Sequence, residues 1–453
     1  MNILFMHQNM PGQFHHLVRS LAADPANRVA FLTRPKPGNM ARVIKVEYPL
    51  ARSPKGGTHR SLQNLQNGIL HGEGAAVALL AFQKQHRFRP DIVYGHPGWG
   101  EMLFVKDVFP DARVIHYCEF FYHGLGSDAY FDLDEKITPR DLMRVRTKNA
   151  VNLLSLESCD AGVTATHWQW RQHPEVYRGK IRVIHDGIDM DRARPDPSTR
   201  VMLPDGTSLG VEDEVVTYVN RNMEPCRGLW SFMDAAELLA KKRPQCRFLV
   251  IGGEDGTYYA QHPPPGRTYQ EMAVERLDAA RGRVHFLGRL PHDQYLRVLQ
   301  VSSAHVYLSS PFVLSWSMLE AMATGCVVIG SNTPPVVEVI TDGKNGLLAD
   351  FFAADEIAER ITEALEQPEW VREIRRSARQ TVLDHYALER CLPAQLAFIE
   401  ETLSGGPKTV THRGVPQPRP RLHSDLVVSE AKPVAGRSGA TATAEPEADL
   451  IPD

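Results

Sequence analysis

Short apolar runs alternate with longer segments of helical spacing along most of this chain, and that rhythm constrains the fold more than any other feature. The runs NILFM (2–6), RVAFLT (28–33), DIVYG (91–95), ARVIHY (112–117), AGVTA (161–165) and IRVIH (181–185) have the length and composition of buried strands. Between them, 13–23, 62–86, 100–109 and 141–157 space their apolar residues as helices do. Strands separated by helices give parallel sheets covered on both faces. Around 191–211 the pattern breaks, in DRARPDPSTRVMLPDGTSLG, which reads as a linker. It restarts with EVVTYV (214–219), CRFLVIGG (246–253), RVHFLG (283–288), AHVYLS (304–309) and CVVIGS (326–331), with helical spacing at 228–241 and 291–301 and onward to about 403. The expected fold class is α/β: two tandem doubly wound Rossmann-like domains, with ligands at strand carboxyl ends facing an interdomain cleft.

Composition narrows the function classes. At 453 residues the chain exceeds one ordinary domain. Lysine and arginine total 51 against 54 for aspartate and glutamate, a net charge of −3, which gives no sign of a nucleic-acid footprint. Six cysteines, at 118, 159, 226, 246, 326 and 391, form no C-x-x-C and read as buried small residues of a reducing compartment. The start MNILFMHQNMPG lacks a basic n-region, and no window approaches about 18 continuous apolar residues. The expectation is a cytoplasmic protein without a membrane span, with peripheral membrane contact left open. From about 405 the chain is rich in Pro, Gly, Ala, Ser and Thr, too poor in apolar surface to offset chain entropy. The expected division is therefore 1–195, 196–386, a helix over 387–404 and a disordered tail over 405–453.

The segment SSPFVLSWSMLEAMATGCVVIGS (309–331) holds Glu320 in the first turn of an expected helix. Ser317-Met318-Leu319-Glu320 matches a capping box, in which serine and glutamate satisfy orphan amides at a helix start. The same N-terminus facing a cleft would accept a phosphate, with Glu320 taking hydrogen bonds from a diol such as ribose. YVNRNMEPCRG (218–228) places Arg221 and Arg227 across a strand-end loop. Two guanidiniums there suit a diphosphate, and surface arginines are the plain alternative. Gly252, directly after a strand, admits either close backbone approach to a ligand or a tight turn. Gly288 and Leu290 in HFLGRL would read a nucleobase through the backbone or simply turn the chain, and Gly12 in HQNMPGQF would let the backbone approach phosphate or acceptor.

In the first half, VIHYCEFFYHG (114–124) offers His116, Glu119 and His123. Glu119 ends a buried strand and reads as a functional polar group or as a paired loop carboxylate. HPGWGE (96–101) follows a strand and presents His96 and Gly98 to an acceptor or donor sugar, or merely turns. Asp132-Leu133-Asp134 matches a D-x-D metal pattern but lies in an acidic, aromatic loop, and no metal is expected. No G-x-G-x-x-G follows the first strand, which disfavours a dinucleotide cofactor.

Taken together, LEAMATGCVVIGSNTPPVVEVITDGKNGLLAD (319–350), NRNMEPCRG (220–228) and HDGID (185–189) resemble retaining glycosyltransferases of family four, which have the GT-B fold and use nucleotide-sugar donors. The resemblance covers roughly residues 1–400. It implies that Glu320 is the second carboxylate of the family's E-x7-E motif and binds the donor ribose. It also implies that Arg221 and Arg227 hold the diphosphate, and that backbone groups of Ser315, Trp316, Ser317 and Met318 bind phosphate and the transferred sugar. Gly12, Gly252 and Leu290 complete the expected donor site; Glu119, Arg221 and Arg227 are the expected catalytic residues; His96 and His123 are the expected acceptor contacts. The resemblance further implies a glycan or glycolipid acceptor, no cofactor beyond the donor substrate, a uridine donor ahead of guanosine, and a 388–403 helix packed back across the first domain. Two departures stand out. The motif's first glutamate is Phe312, and the following Gly-Phe-Gly is Val313-Leu314-Ser315. A sugar-nucleotide or glycan-binding protein of weak activity, or an epimerase or hydrolase on the same fold, are the rival readings.

Overall fold

The computed structural model describes residues 1–50, 58–131, 137–254, 263–366 and 368–405. The expected tail beyond Gly405 and the Asp132–Asp134 pattern lie outside them.

Seven parallel strands build the first sheet. They are β1 (Asn2–Met6), β2 (Arg28–Thr33), β3 (Val43–Glu47), β4 (Ile92–Gly95), β5 (Arg113–Tyr117), β6 (Ala161–Thr164) and β7 (Ile181–Val183). Their order is β3-β2-β1-β4-β5-β6-β7, doubly wound about β1. A two-stranded hairpin, β8 (Val201–Met202) and β9 (Ser208–Leu209), sits inside the segment expected to be a plain linker. The second sheet contains β10 (Val215–Asn222), β11 (Arg247–Gly253), β12 (Val284–Phe286), β13 (Ala304–Tyr307), β14 (Val327–Ser331) and β15 (Leu347–Ala349). It is also parallel throughout, in the order β12-β11-β10-β13-β14-β15.

Period-two alternation explains why both sheets are covered on both faces. In β1, Ile3 and Phe5 enter one core while Leu4 and Met6 enter another. In β11, Phe248 and Val250 divide from Leu249 and Ile251 in the same way. The expected edge strands were too few: β3 carries Lys45 in its middle, and β15 is only three residues long. The expected helix at 100–109 shrinks to Val105–Val108. The expected helix at 141–157 is two helices, Pro139–Lys148 and Ala150–Ser158, broken at Asn149. There the Asn149 side chain accepts from the Tyr122 amide at 2.9 Å and donates to the Tyr122 carbonyl at 2.7 Å.

The helix Leu388–Leu403 leaves the second sheet and buries Phe398 and Ile399 in the core under β1 and β2. Arg182 beside it holds Glu401 through two bonds of 2.8 and 2.9 Å. No helix among the described residues is long and apolar enough to cross a membrane.

Candidate active site

The carboxyl ends of β1, β4 and β5 converge on one polar cluster. Glu119, two residues past β5, takes a hydrogen bond from Gln13 at 2.9 Å and one from His96 Nε2 at 3.2 Å. The Gly98 amide donates to His96 Nδ1 at 3.0 Å, which fixes the ring proton on Nε2, facing Glu119. His7 stacks edge-on against His96 and Trp99, with centroids 5.4 and 4.9 Å away. Gly12 is required here, because a Cβ would lie 2.7 Å from the His7 ring and φ is +53°. Burial alone would raise Glu119, but His96, His7 and Gln13 outweigh it and hold the carboxylate below its ordinary range. Burial, reinforced by His96, pushes His7 down to about 3, so that ring is neutral near pH 7. The cluster thus presents an ionised carboxylate fixed by two donors. His7 and Gln13 share the HQNMPGQF stretch with Gly12, but nothing in its local pattern marks them.

Its counterpart lies on the second sheet. Arg227 donates to Ser309 Oγ at 2.7 Å and places its guanidinium 5.5 Å from the centre of the Phe312 ring. Ser310 Oγ beside it is buried and has no hydrogen-bond partner among the described residues. Arg221 is not in the loop as expected but within β10, on an exposed position. Arg289, missed in the sequence, donates to Asn222 at 2.7 Å and lies over Gly253, where a Cβ would come within 2.4 Å of its Nε. Gly252 is buried against the Asn220 carbonyl, and its amide donates to the Gly288 carbonyl at 3.1 Å. Leu290, just past β12, packs its half-buried side chain against the core around β10 and β11.

Glu320 corrects the sequence reading. The helix Trp316–Thr324 starts two residues earlier than the capping box requires, and Ser315 caps it by accepting from the Ser317 amide. Glu320 therefore sits in the second turn, buried. Its Oε1 is 2.7 Å from His292 Nε2 and its Oε2 accepts from the Tyr295 hydroxyl at 2.8 Å. The helix start is also less open than expected. The Ser315 amide donates to the Tyr307 hydroxyl at 2.8 Å, and the Met318 amide to the Ser315 carbonyl at 3.3 Å. A phosphate on the Ser317 amide would have to displace the Ser315 hydroxyl, and one on the Ser315 amide the Tyr307 hydroxyl.

The two clusters meet across the cleft. Phe312 packs on Phe120, the residue after Glu119, at 4.6 Å between centroids, with Trp168 alongside. Trp316 reaches the other way: its indole N–H donates to Asp186 Oδ2 at 3.1 Å, and Tyr117 at the end of β5 donates to the same oxygen at 2.8 Å. Burial pushes Asp186 up to about 7. Glu338 accepts from the His167 and Trp168 amides at 2.7 and 2.5 Å, capping a first-domain helix from the second domain. His123 is held apart from the Glu119 cluster, its Nε2 on the Gln172 carbonyl at 2.8 Å. No group of three or more His, Cys, Asp or Glu side chains placed to hold a metal occurs among the described residues.

A fold of two doubly wound domains with polar strand ends facing one cleft defines a class, and comparison with known proteins places the chain within it. Residues 25–193 match the glycosyl transferase family 4 group, and residues 206–381 match glycosyl transferases group 1. The chain belongs to the GT-B glycosyltransferase family. It is 25% identical over 227 residues to an alpha-maltose-1-phosphate synthase of Mycolicibacterium smegmatis, a match covering 48% of this chain and 56% of that one. The chain thus spans just over half the length of that curated relative. The fold superimposes on a sucrose-phosphate synthase from Thermosynechococcus elongatus with a TM-score of 0.66 at 20% identity, covering 89% of this chain and 99% of that one. It also superimposes on Anabaena HepE solved in complex with UDP and glucose, with a TM-score of 0.61 at 14% identity, covering 88% and 100%.

Proposed function

We propose that this protein transfers a sugar, with retention of anomeric configuration, from a nucleotide-diphosphate donor to a glycan or glycolipid acceptor. The observation that carries the reading is the Phe120–Phe312 contact, because it sets the ionised Glu119 and the Arg227–Ser309–Ser310 group on the two sides of one closed cleft. Arg227 would neutralise charge developing on the departing diphosphate, a large term when the donor is already in place. Glu119 would accept a hydrogen bond from a sugar hydroxyl and orient it, with His96 and Gln13 keeping its rotamer fixed. Glu320 would bind the ribose; two of about four lone-pair positions on a carboxylate are committed to His292 and Tyr295, which leaves two for a diol. In enzymes of this kind the donor phosphate itself helps to deprotonate the acceptor, so no protein nucleophile is needed. The UDP complex of the Anabaena neighbour favours a uridine donor.

Calorimetry with UDP, GDP and ADP tests this, with Arg227→Ala and Glu320→Ala beside the unaltered chain. Micromolar binding of one nucleotide, weakened in both variants, is the expected result; no binding by folded protein removes the reading. Phe312 favours a second reading, a sugar-nucleotide-binding protein of weak activity, because it puts a buried apolar ring where the family's carboxylate is expected. Nucleotide binding without turnover of UDP-sugars over a panel of acceptors would select it.

A further inference from the structure

A second polar group lies on the same sheet edge, outboard of the Glu119 cluster, and the transfer chemistry leaves it unused. Arg34 follows β2, Gln8 follows β1, Tyr48 follows β3, and Glu101 lies in the loop after β4, with His71 reaching in from the helix Gln63–His86. The Tyr48 hydroxyl is bonded to Glu101 Oε1 and lies 2.9 Å from His71 Nδ1. Gln8 Nε2 is 3.3 Å from the same His71 nitrogen. The Arg34 guanidinium is held over the Tyr48 ring, 5.7 Å from its centre, and its Nη1 is buried with no hydrogen-bond partner among the described residues. Lys36 adds a second cation at the rim, bonded to Asn9.

A half-buried guanidinium that meets an aromatic face but, among the described residues, no oxygen is an incomplete anion site, since a planar fork of donors is satisfied by a carboxylate or a phosphate. Glu101 does not fill that role. One of its oxygens is taken by Tyr48, the other is buried with no hydrogen-bond partner among the described residues, and burial raises its pKa despite the opposing pull of Tyr48. His71 is lowered by burial and by Arg34.

We propose that Arg34, with Gln8 and His71, binds an anionic group on the acceptor, a phosphate or a carboxylate, away from the hydroxyl that reacts. The separation follows from the sheet order: β2 lies three interstrand steps from β5, about 14 Å. The charge therefore sits farther along the acceptor than the sugar ring engaged at Glu119. This inference rests on the glycosyltransferase reading for the identity of the ligand as an acceptor.

The test uses the full chain saturated with UDP, so that the Arg227 site is filled, and titrates inorganic phosphate, glucuronate and, as a neutral control, glucose. Phosphate or glucuronate is expected to bind in the millimolar range and glucose not at all; which of the two binds separates the phosphate source from the carboxylate source. Arg34→Gln is expected to weaken that binding at least tenfold, Arg34→Lys by less, and neither is expected to change UDP affinity. If Arg34→Gln does not fold, as judged by its melting curve, Gln8→Ala carries the same expectation. Anion binding that is absent, or equal in all variants, overturns the proposal while UDP binding leaves the donor reading standing. Failure of the unaltered chain to bind any nucleotide overturns the donor reading instead.

Discussion

Both oxygens of Glu320 are committed within the chain, to His292 and Tyr295, so its replacement does two separable things. Glu320→Ala strands the buried Tyr295 hydroxyl and a half-buried imidazole, at a cost of roughly 1–3 kcal/mol in stability. It should also abolish measurable UDP binding at micromolar concentration. Glu320→Gln keeps one acceptor and should recover most of the stability but little of the affinity. Denaturant melts paired with calorimetry separate the two effects. Glu320 was legible in the sequence as a candidate from the family-like run around it. Its hydrogen-bond partners were not, because His292 and Tyr295 lie on a different helix, and three-residue spacing there looks like any amphipathic turn. The capping box misled for a related reason. Ser315 and Ser317 are equally good caps locally, and the helix begins at Trp316, whose indole is anchored to Asp186, 130 residues away in sequence.

Turns between elements decide where Arg227 points. Gly228 joins the loop carrying Arg227 to the helix Leu229–Lys242 with φ of +76°, and a Cβ there would lie 2.4 Å from Leu308. Gly228→Ala should destabilise the chain by more than about 1 kcal/mol, because the backbone strain and the contact add. It should also cost more UDP affinity than Arg227→Lys does, since it moves the whole loop. Thermal melts and titration of the two variants side by side test this. Elements bounded by such turns were the legible ones: β1, β10 and β11 stood out as apolar runs ending at His, Asn or Gly, and β2 by its apolar length alone. The break at Asn149 did not, because it exists to hold the Tyr122 backbone, a contact no local pattern encodes. The edge strands β3 and β15 escaped for want of apolar length.

Across the whole molecule, the contacts that hold the domains together include Phe312 on Phe120, Trp316 with Tyr117 on Asp186, Glu338 on the helix at 167, and Phe131 on Phe351 and Phe352. Phe120→Ala and Phe312→Ala should each cost about 3–5 kcal/mol. The double variant should cost less than their sum, because the rings touch each other; a double-mutant cycle by denaturation measures the coupling. Asp186 adds a pH dependence. Its folded pKa of about 7 lies above the ordinary 3.8, so the folded chain holds this proton where the unfolded chain has lost it. The contribution of Asp186 to stability therefore falls as pH rises from about 4 to about 7 and is flat above that window. Asp186→Asn, which still accepts from Tyr117 and Trp316, should remove that slope, as urea titrations from pH 4 to pH 8 would show. The Glu338 contact has a further consequence. The amide protons of His167 and Trp168 are shielded by a carboxylate that belongs to the opposite domain, so they can be traded for deuterium when the domains part. Their uptake rate, read residue by residue, counts how often the closed molecule opens, and a bound nucleotide that favours closure would slow that count.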